Sequence, residues 1–201
     1  ATEGARTAPG EVAEGDGTAD GGPVAAMPFL DHLEELRWRI LKGLAAVAVG
    51  AMACGIFADE ILRLLTRPAL EMDPAPELIF LKPMGMFLVK LEIVLVGGAI
   101  LALPVLLYQI WLFVAPGLFS HERRYVSFII LSSTACFVVG ALVAYLGVVP
   151  LALSFLAGMS EGTGVIPQYD IGFYIGFVLR LLVAFGVVFE LPVASFFLAK
   201  V

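Results

Sequence analysis

Charged side chains vanish from this chain over distances that only a lipid bilayer explains. No Asp, Glu, Lys or Arg occurs from Ile93 to Ser120 or from Tyr125 to Ser160. A helix needs roughly 20 apolar positions, at about 1.5 Å of rise each, to cross about 30 Å of hydrocarbon. Two further stretches qualify. Ile40 to Ala58 is broken only by Lys42, whose long stem reaches the interface, and Ile171 to about Val201 holds Arg180 and Glu190. Composition agrees: of 201 residues, 60% are hydrophobic and 15% charged, against about a quarter charged in a soluble domain. The sequence therefore predicts an all-α polytopic transmembrane helical bundle with four spans, at about 40–58, 93–115, 125–148 and 173–199.

The connections divide by composition. Residues 1–26 are Gly/Ala-rich and acidic, cannot bury enough apolar surface to fold, and read as a disordered tail ahead of a membrane domain at 27–201. Residues 59–83 read as an extracytoplasmic cap loop. In it Ile61, Leu62, Leu64 and Leu65 with Arg63 and Arg67 suggest a short amphipathic helix ended by Pro68, and Pro74, Pro76 and Leu78-Ile79-Phe80-Leu81 suggest an extended segment. Residues 116–124 form a short loop on the opposite side, and Pro150 and Gly158 mark where the long third stretch leaves the bilayer into a second extracytoplasmic loop, 150–172. Arg37, Arg39, Lys42, Arg123, Arg124 and Lys200 fall on one side, while loop 150–172 has no basic residue. This asymmetry predicts a multi-pass protein of the cell membrane with a cytoplasmic amino terminus.

Several function classes are disfavoured. A net charge of -6 with 12 Lys and Arg is wrong for neutralising nucleic-acid phosphates. Cys54 and Cys136 sit alone in apolar runs and read as packing residues, and His32 and His121 are too far apart for zinc spacing. No P-loop, nucleophile elbow, zinc-protease or dinucleotide motif occurs, so neither an enzyme nor a bound cofactor is expected.

The polar residues gather instead at one membrane face, in Phe29-Leu30-Asp31-His32-Leu33-Glu34-Glu35-Leu36-Arg37-Trp38-Arg39 and His121-Glu122-Arg123-Arg124. With Tyr108-Gln109-Ile110-Trp111-Leu112-Phe113-Val114-Ala115-Pro116 and Phe185-Gly186-Val187-Val188-Phe189-Glu190-Leu191-Pro192, these segments resemble the TatC family, the polytopic core of the twin-arginine protein translocase. The likeness runs from about Met27 to Val201, with the motifs in family order at family spacing. The family has six spans, so the resemblance implies that the last two lie beyond the abrupt ending at Val201.

What the resemblance implies is a signal-peptide receptor and scaffold for exporting folded proteins. Its partners would be twin-arginine precursors and the single-span TatA and TatB subunits, in an oligomeric assembly drawing on the proton-motive force. Glu35 and Glu122 would receive the arginine pair, because a guanidinium fork fits a carboxylate with two parallel hydrogen bonds and a lysine does not. Phe113 would contribute apolar contact, as would Leu118 near the loop. His32, Arg37, Arg39, His121 and Arg123 complete the expected site. The residues alone leave blander readings open: Glu35 paired with Arg39 at i,i+4, Glu122 solvating a loop, Phe113 packing in the core, and the arginines anchoring the rim to anionic lipid.

Glu190 lies inside the fourth span, where a charge costs about 2.5–3.5 kcal/mol on insertion scales. It needs a partner or a proton. The resemblance implies that Glu190, with Pro192 kinking the helix beside it, docks a partner's transmembrane helix. A protonated glutamate satisfied within the bundle is the alternative. A proton- or ion-coupled transporter with Glu190 as relay is a competing function, as is a plain membrane anchor. Transport predicts a second mid-membrane carboxylate, and the spans as delimited above contain none. Gly172 and Gly176 read as a small-residue pair for close helix approach, and Asp170 as a helix N-cap.

Overall fold

The structure, a computed structural model, describes residues 27–73, 75–114, 126–160 and 168–198, with side chains for 33–73, 75–110, 130–160 and 168–196. The tail at 1–26 and the loop at 116–124 lie outside the described residues. In chain order the elements are α1 (Met27–Ile56), α2 (Ala58–Leu70), β1 (Glu77–Ile79), α3 (Gly85–Val114), α4 (Val126–Val143), a π-helical turn (Ala144–Val148), α5 (Val149–Gly158), β2 (Gln168–Asp170) and α6 (Ile171–Leu198). Four helical stretches, Leu33–Ile56, Gly85–Ile110, Ile130–Gly158 and Ile171–Phe196, are long and apolar enough to cross a membrane. The chain is an all-α polytopic bundle with four membrane-spanning helices.

Two antiparallel pairs, α1 with α3 and α4 with α6, make the closest packing, and glycines decide where they touch. A Cβ on Gly98 would lie 2.5 Å from the Ala51 nitrogen, and one on Gly50 would lie 2.5 Å from the Gly98 carbonyl oxygen. Cys54 is buried beside Gly97 in the same seam, the small packing residue its sequence context suggests. In the second pair, a Cβ on Gly140 would lie 2.6 Å from the Phe185 carbonyl oxygen, and one on Gly186 would lie 2.5 Å from the Phe137 ring.

The main core sits at the end of the bundle covered by α2, where Leu65 and Ala69 meet Val89 and Ile93 of α3, Val149 and Leu153 of α5, and Tyr174, Ile175 and Val178 of α6. The amphipathic cap helix is present but does not stop at Pro68; it runs on to Leu70. Proline removes the N–H that would bond the Leu64 carbonyl, and the Tyr145 hydroxyl donates to that oxygen instead, at 2.7 Å. The Tyr174 hydroxyl donates to the next carbonyl, Leu65, at 2.8 Å. Asp59 and Glu60 in the first turn and Arg67 in the last suit the helix dipole, and Lys90 of α3 pairs with Asp59 at 2.7 Å.

Two features differ from the expectation. The extended segment after Pro76 is not a free loop: β1 pairs in parallel with β2, Leu78 opposite Tyr169. The third long helix also continues through Pro150 to Gly158. The π turn, in which the Val149 N–H reaches back to the Ala144 carbonyl, places Pro150 in the first turn of α5, where a missing donor is tolerated.

Asp170 joins these parts. Its Oδ1 accepts from the N–H groups of Gly172 at 2.9 Å and Phe173 at 3.1 Å, capping α6 as its sequence position suggests. Its Oδ2 accepts from the Leu81 N–H at 3.1 Å, tying the segment after β1 to the start of the fourth span.

Candidate functional site

The chain crosses four times, so the start of α1, the end of α3, the start of α4 and the end of α6 lie at the end of the bundle away from the cap. The first third of α1 brings Glu35, Arg37 and Arg39 to this rim. Arg39 donates through Nε to Glu35 Oε1 at 3.2 Å, and its Nη2 contacts the same oxygen. This is the i,i+4 pair that the spacing allows. It is asymmetric, with the Arg39 side chain 15% exposed and that of Glu35 39% exposed. The arginine is the more buried partner, and the carboxylate it contacts is partly exposed at the rim. Arg37 is exposed.

Beneath Arg39 an apolar groove of about 400 Å³ runs between the two helices, walled by Leu36, Ile40, Leu44 and Val47 of α1 and by Leu106 and Ile110 of α3. Gly43 opens it, since a Cβ there would lie 3.1 Å from Leu106 Cδ2. Phe113 follows on α3 beyond Ile110, and His32 precedes Glu35 on α1, but both side chains lie outside the described residues. Leu118, His121, Glu122 and Arg123 fall between α3 and α4, also outside them.

Glu190 lies about 28 Å along α6 from Ile171, at about 1.5 Å per residue. Both of its carboxylate oxygens are buried without a hydrogen-bond partner among the described residues. One turn earlier, Gly186 packs on the Phe137 ring. Two residues later, Pro192 leaves the Val188 carbonyl without its helical donor, and Ser195 donates to the Pro192 carbonyl at 3.0 Å. Val188, Leu191 and Ala194 border an apolar depression there.

Glu92 lies just before the uncharged stretch that begins at Ile93. α3 begins earlier, at Gly85, and so carries Lys90 and Glu92 near its cap end. Glu92 lies over Gly176 of α6, where a Cβ would meet its Oε1 at 3.2 Å, so that glycine faces α3 and makes room for its carboxylate. Among the described residues, no group of three or more His, Cys, Asp or Glu side chains could hold a metal ion.

Residues 31–201 match the family described as Sec-independent protein translocase protein (TatC). The TatC of Aquifex aeolicus (strain VF5) is 41% identical over 175 residues, covering 87% of this chain and 73% of the relative. The chain belongs to the TatC family. The TatC of Escherichia coli (strain K12) is 39% identical over 168 residues, covering 83% of this chain and 65% of the relative. A crystal structure of a twin arginine translocase receptor, TatC in DDM, superposes with a TM-score of 0.78 at 40% identity, over 84% of this chain and 76% of that chain. A second TatC crystal structure gives a TM-score of 0.75 at 41% identity.

Among the expected site residues of this TatC-family chain, the structure brings Glu35, Arg37 and Arg39 together on one rim beside the end of α3. It places Glu190 and Pro192 two residues apart within α6.

Proposed function

We propose that this chain acts as the signal-peptide receptor and scaffold of twin-arginine protein export, in the bacterial cytoplasmic membrane with its amino terminus in the cytoplasm. The observation that carries the reading is the partly exposed Glu35 carboxylate at the rim, held by the more buried Arg39. An arginine of the signal peptide docks on Glu35 and its neighbour on Glu122, with Arg37, His32, His121 and Arg123 shaping the rim. A carboxylate already fixed by a neighbour loses little freedom when a second guanidinium arrives, which favours binding.

Magnitudes divide the work. A hydrogen bond to a charged group contributes roughly 1.5–3 kcal/mol net, so two give dissociation constants between about millimolar and tens of micromolar. Charge alone selects without holding. The apolar groove between α1 and α3, which begins at Arg39, supplies the remainder by taking hydrophobic residues of the signal peptide, and Phe113 adds apolar contact to them.

Glu190 and Pro192 form the second half of the proposal: a carboxylate with no hydrogen-bond partner among the described residues and a freed carbonyl in the membrane offer hydrogen bonds to a single-span partner helix, TatA or TatB. The energy for translocation comes from the proton-motive force. Glu92 does not turn the chain into a relay, because it lies about 10 Å from the cap end of α3 while Glu190 lies about 28 Å from that end of α6.

Cross-linking tests the site. A photoreactive group at the arginine pair of a signal peptide is expected to label position 35 and the groove residue Leu106. Labelling confined to the cap end contradicts the proposal.

A further inference from the structure

At the cap end, α3 and α6 leave a crevice of about 260 Å³, lined by Lys82, Glu92, Gly176 and Arg180 and edged by Asp170. This is smaller than the roughly 300–1,000 Å³ of a drug-sized site and far too small for a helix. Its charges are unusual for their depth. Glu92 lies about 10 Å along α3 from Gly85, and Arg180 about 13 Å along α6 from Ile171, at about 1.5 Å per residue. Neither makes an ion pair or hydrogen bond with a described residue. Charged groups inside spans are costly and normally find a partner or a polar cavity.

The two helices run the same way, both starting at the cap, and helical side chains lean toward the amino-terminal end. Glu92 and Arg180 therefore both lean toward the membrane surface at the cap. Asp170 is not available to a ligand, since its oxygens already accept from Leu81, Gly172 and Phe173. What remains is one carboxylate, Glu92, and two cations, Lys82 at the mouth and Arg180 within. Exposed Leu81, Leu88 and Phe173 line the same crevice with apolar surface.

We propose that this crevice is a site for a phospholipid with a phosphoethanolamine headgroup, its phosphate on Arg180 and Lys82, its ammonium on Glu92 and its acyl chains along Leu88 and Phe173. An anionic headgroup without an amine leaves Glu92 facing negative charge. A choline headgroup has the charge but no N–H to donate to a half-buried carboxylate. The Gly176 surface is what leaves space for the Glu92 carboxylate, and so for its ligand, between the helices.

Native mass spectrometry of the purified chain in mild detergent tests this, with phosphatidylethanolamine, phosphatidylglycerol and phosphatidylcholine of identical acyl chains added at equal concentration. One phosphatidylethanolamine is expected per chain, preferred about tenfold or more, the scale of one charge-assisted hydrogen bond. Glu92→Gln and Arg180→Gln should each reduce it to the phosphatidylcholine level, while Glu71→Gln, at a carboxylate outside the crevice that pairs with Arg67, leaves it unchanged. Equal retention of the three lipids by the unsubstituted chain overturns the proposal whatever the variants do. So does a thermal-unfolding double-mutant cycle in which Glu92 and Arg180 couple equally with and without phosphatidylethanolamine, the mark of a direct ion pair. The result is independent of signal-peptide binding.

Discussion

The Tyr145 hydroxyl donates a 2.7 Å hydrogen bond to the Leu64 carbonyl, the oxygen that Pro68 leaves without a helical donor. A residue of the third span thereby completes the cap helix, and the cap is fastened to the bundle at the point where its own helix is weakest. Tyr145→Phe should lower stability in detergent by about 1 kcal/mol, the worth of an ordinary hydrogen bond. Restoring the N–H with Pro68→Ala should recover most of that loss in the double variant. Additive losses in an unfolding cycle contradict this account of the cap.

Acid should loosen the cap. Backbone hydrogen bonds from Leu81 and then Phe173 hold the Asp170 carboxyl below its usual value, and the hydrogen bond and charge of Lys90 do the same for Asp59. Carboxyls depressed in the folded state stabilise it fully above the unfolded value of about 3.9, and the contribution fades as pH falls through the lower folded value. Spin labels on β1 and β2 should report a narrow distance distribution at neutral pH that broadens below about pH 4. Asp170→Ala should broaden it already at neutral pH. A distribution indifferent to both changes would refute the assignment.

Glycines should divide sharply by their surroundings. Gly98→Leu has to displace the α1 backbone, whose Ala51 nitrogen lies 2.5 Å from the new Cβ, and should cost about 1–3 kcal/mol or prevent folding. Gly147→Ala meets nothing within 4 Å and should change stability by less than about 0.5 kcal/mol. Thermal unfolding of the two variants checks the contrast.

The buried carboxylate at Glu190 should trade stability for partnership. Glu190→Ala removes a buried group that has no hydrogen-bond partner among the described residues and should raise the stability of the isolated chain by about 1–3 kcal/mol, while cross-linking of α6 to a single-span partner helix falls several-fold. Unchanged cross-linking removes the docking role.

The four spans were legible because uncharged length is a one-dimensional signal that the bilayer reads directly. Motif order made the rim legible as well: Glu35 and Arg39 were visible as an i,i+4 pair, and Asp170 as a cap. Non-local features were not legible. Nothing near Glu77 shows that it lies opposite Gln168, and nothing near Pro68 shows that Tyr145 will supply its missing donor. Uncharged length does not show that hydrogen bonding carries α3 back to Gly85, which puts Glu92 on the helix rather than in the loop before it. The touching glycines Gly50 and Gly98 lie on different spans, so no local motif marks them.

The central claim is that carboxylates on one rim grip a pair of guanidinium groups. Its most direct test is the affinity of the purified chain for a synthetic signal peptide carrying two consecutive arginines, compared with the same peptide carrying two lysines. The account predicts a preference for arginine of about tenfold or more, from bidentate pairing that lysine cannot make, and its loss in Glu35→Gln. Equal binding of the two peptides, or an arginine preference that survives replacement of both Glu35 and Glu122, contradicts it.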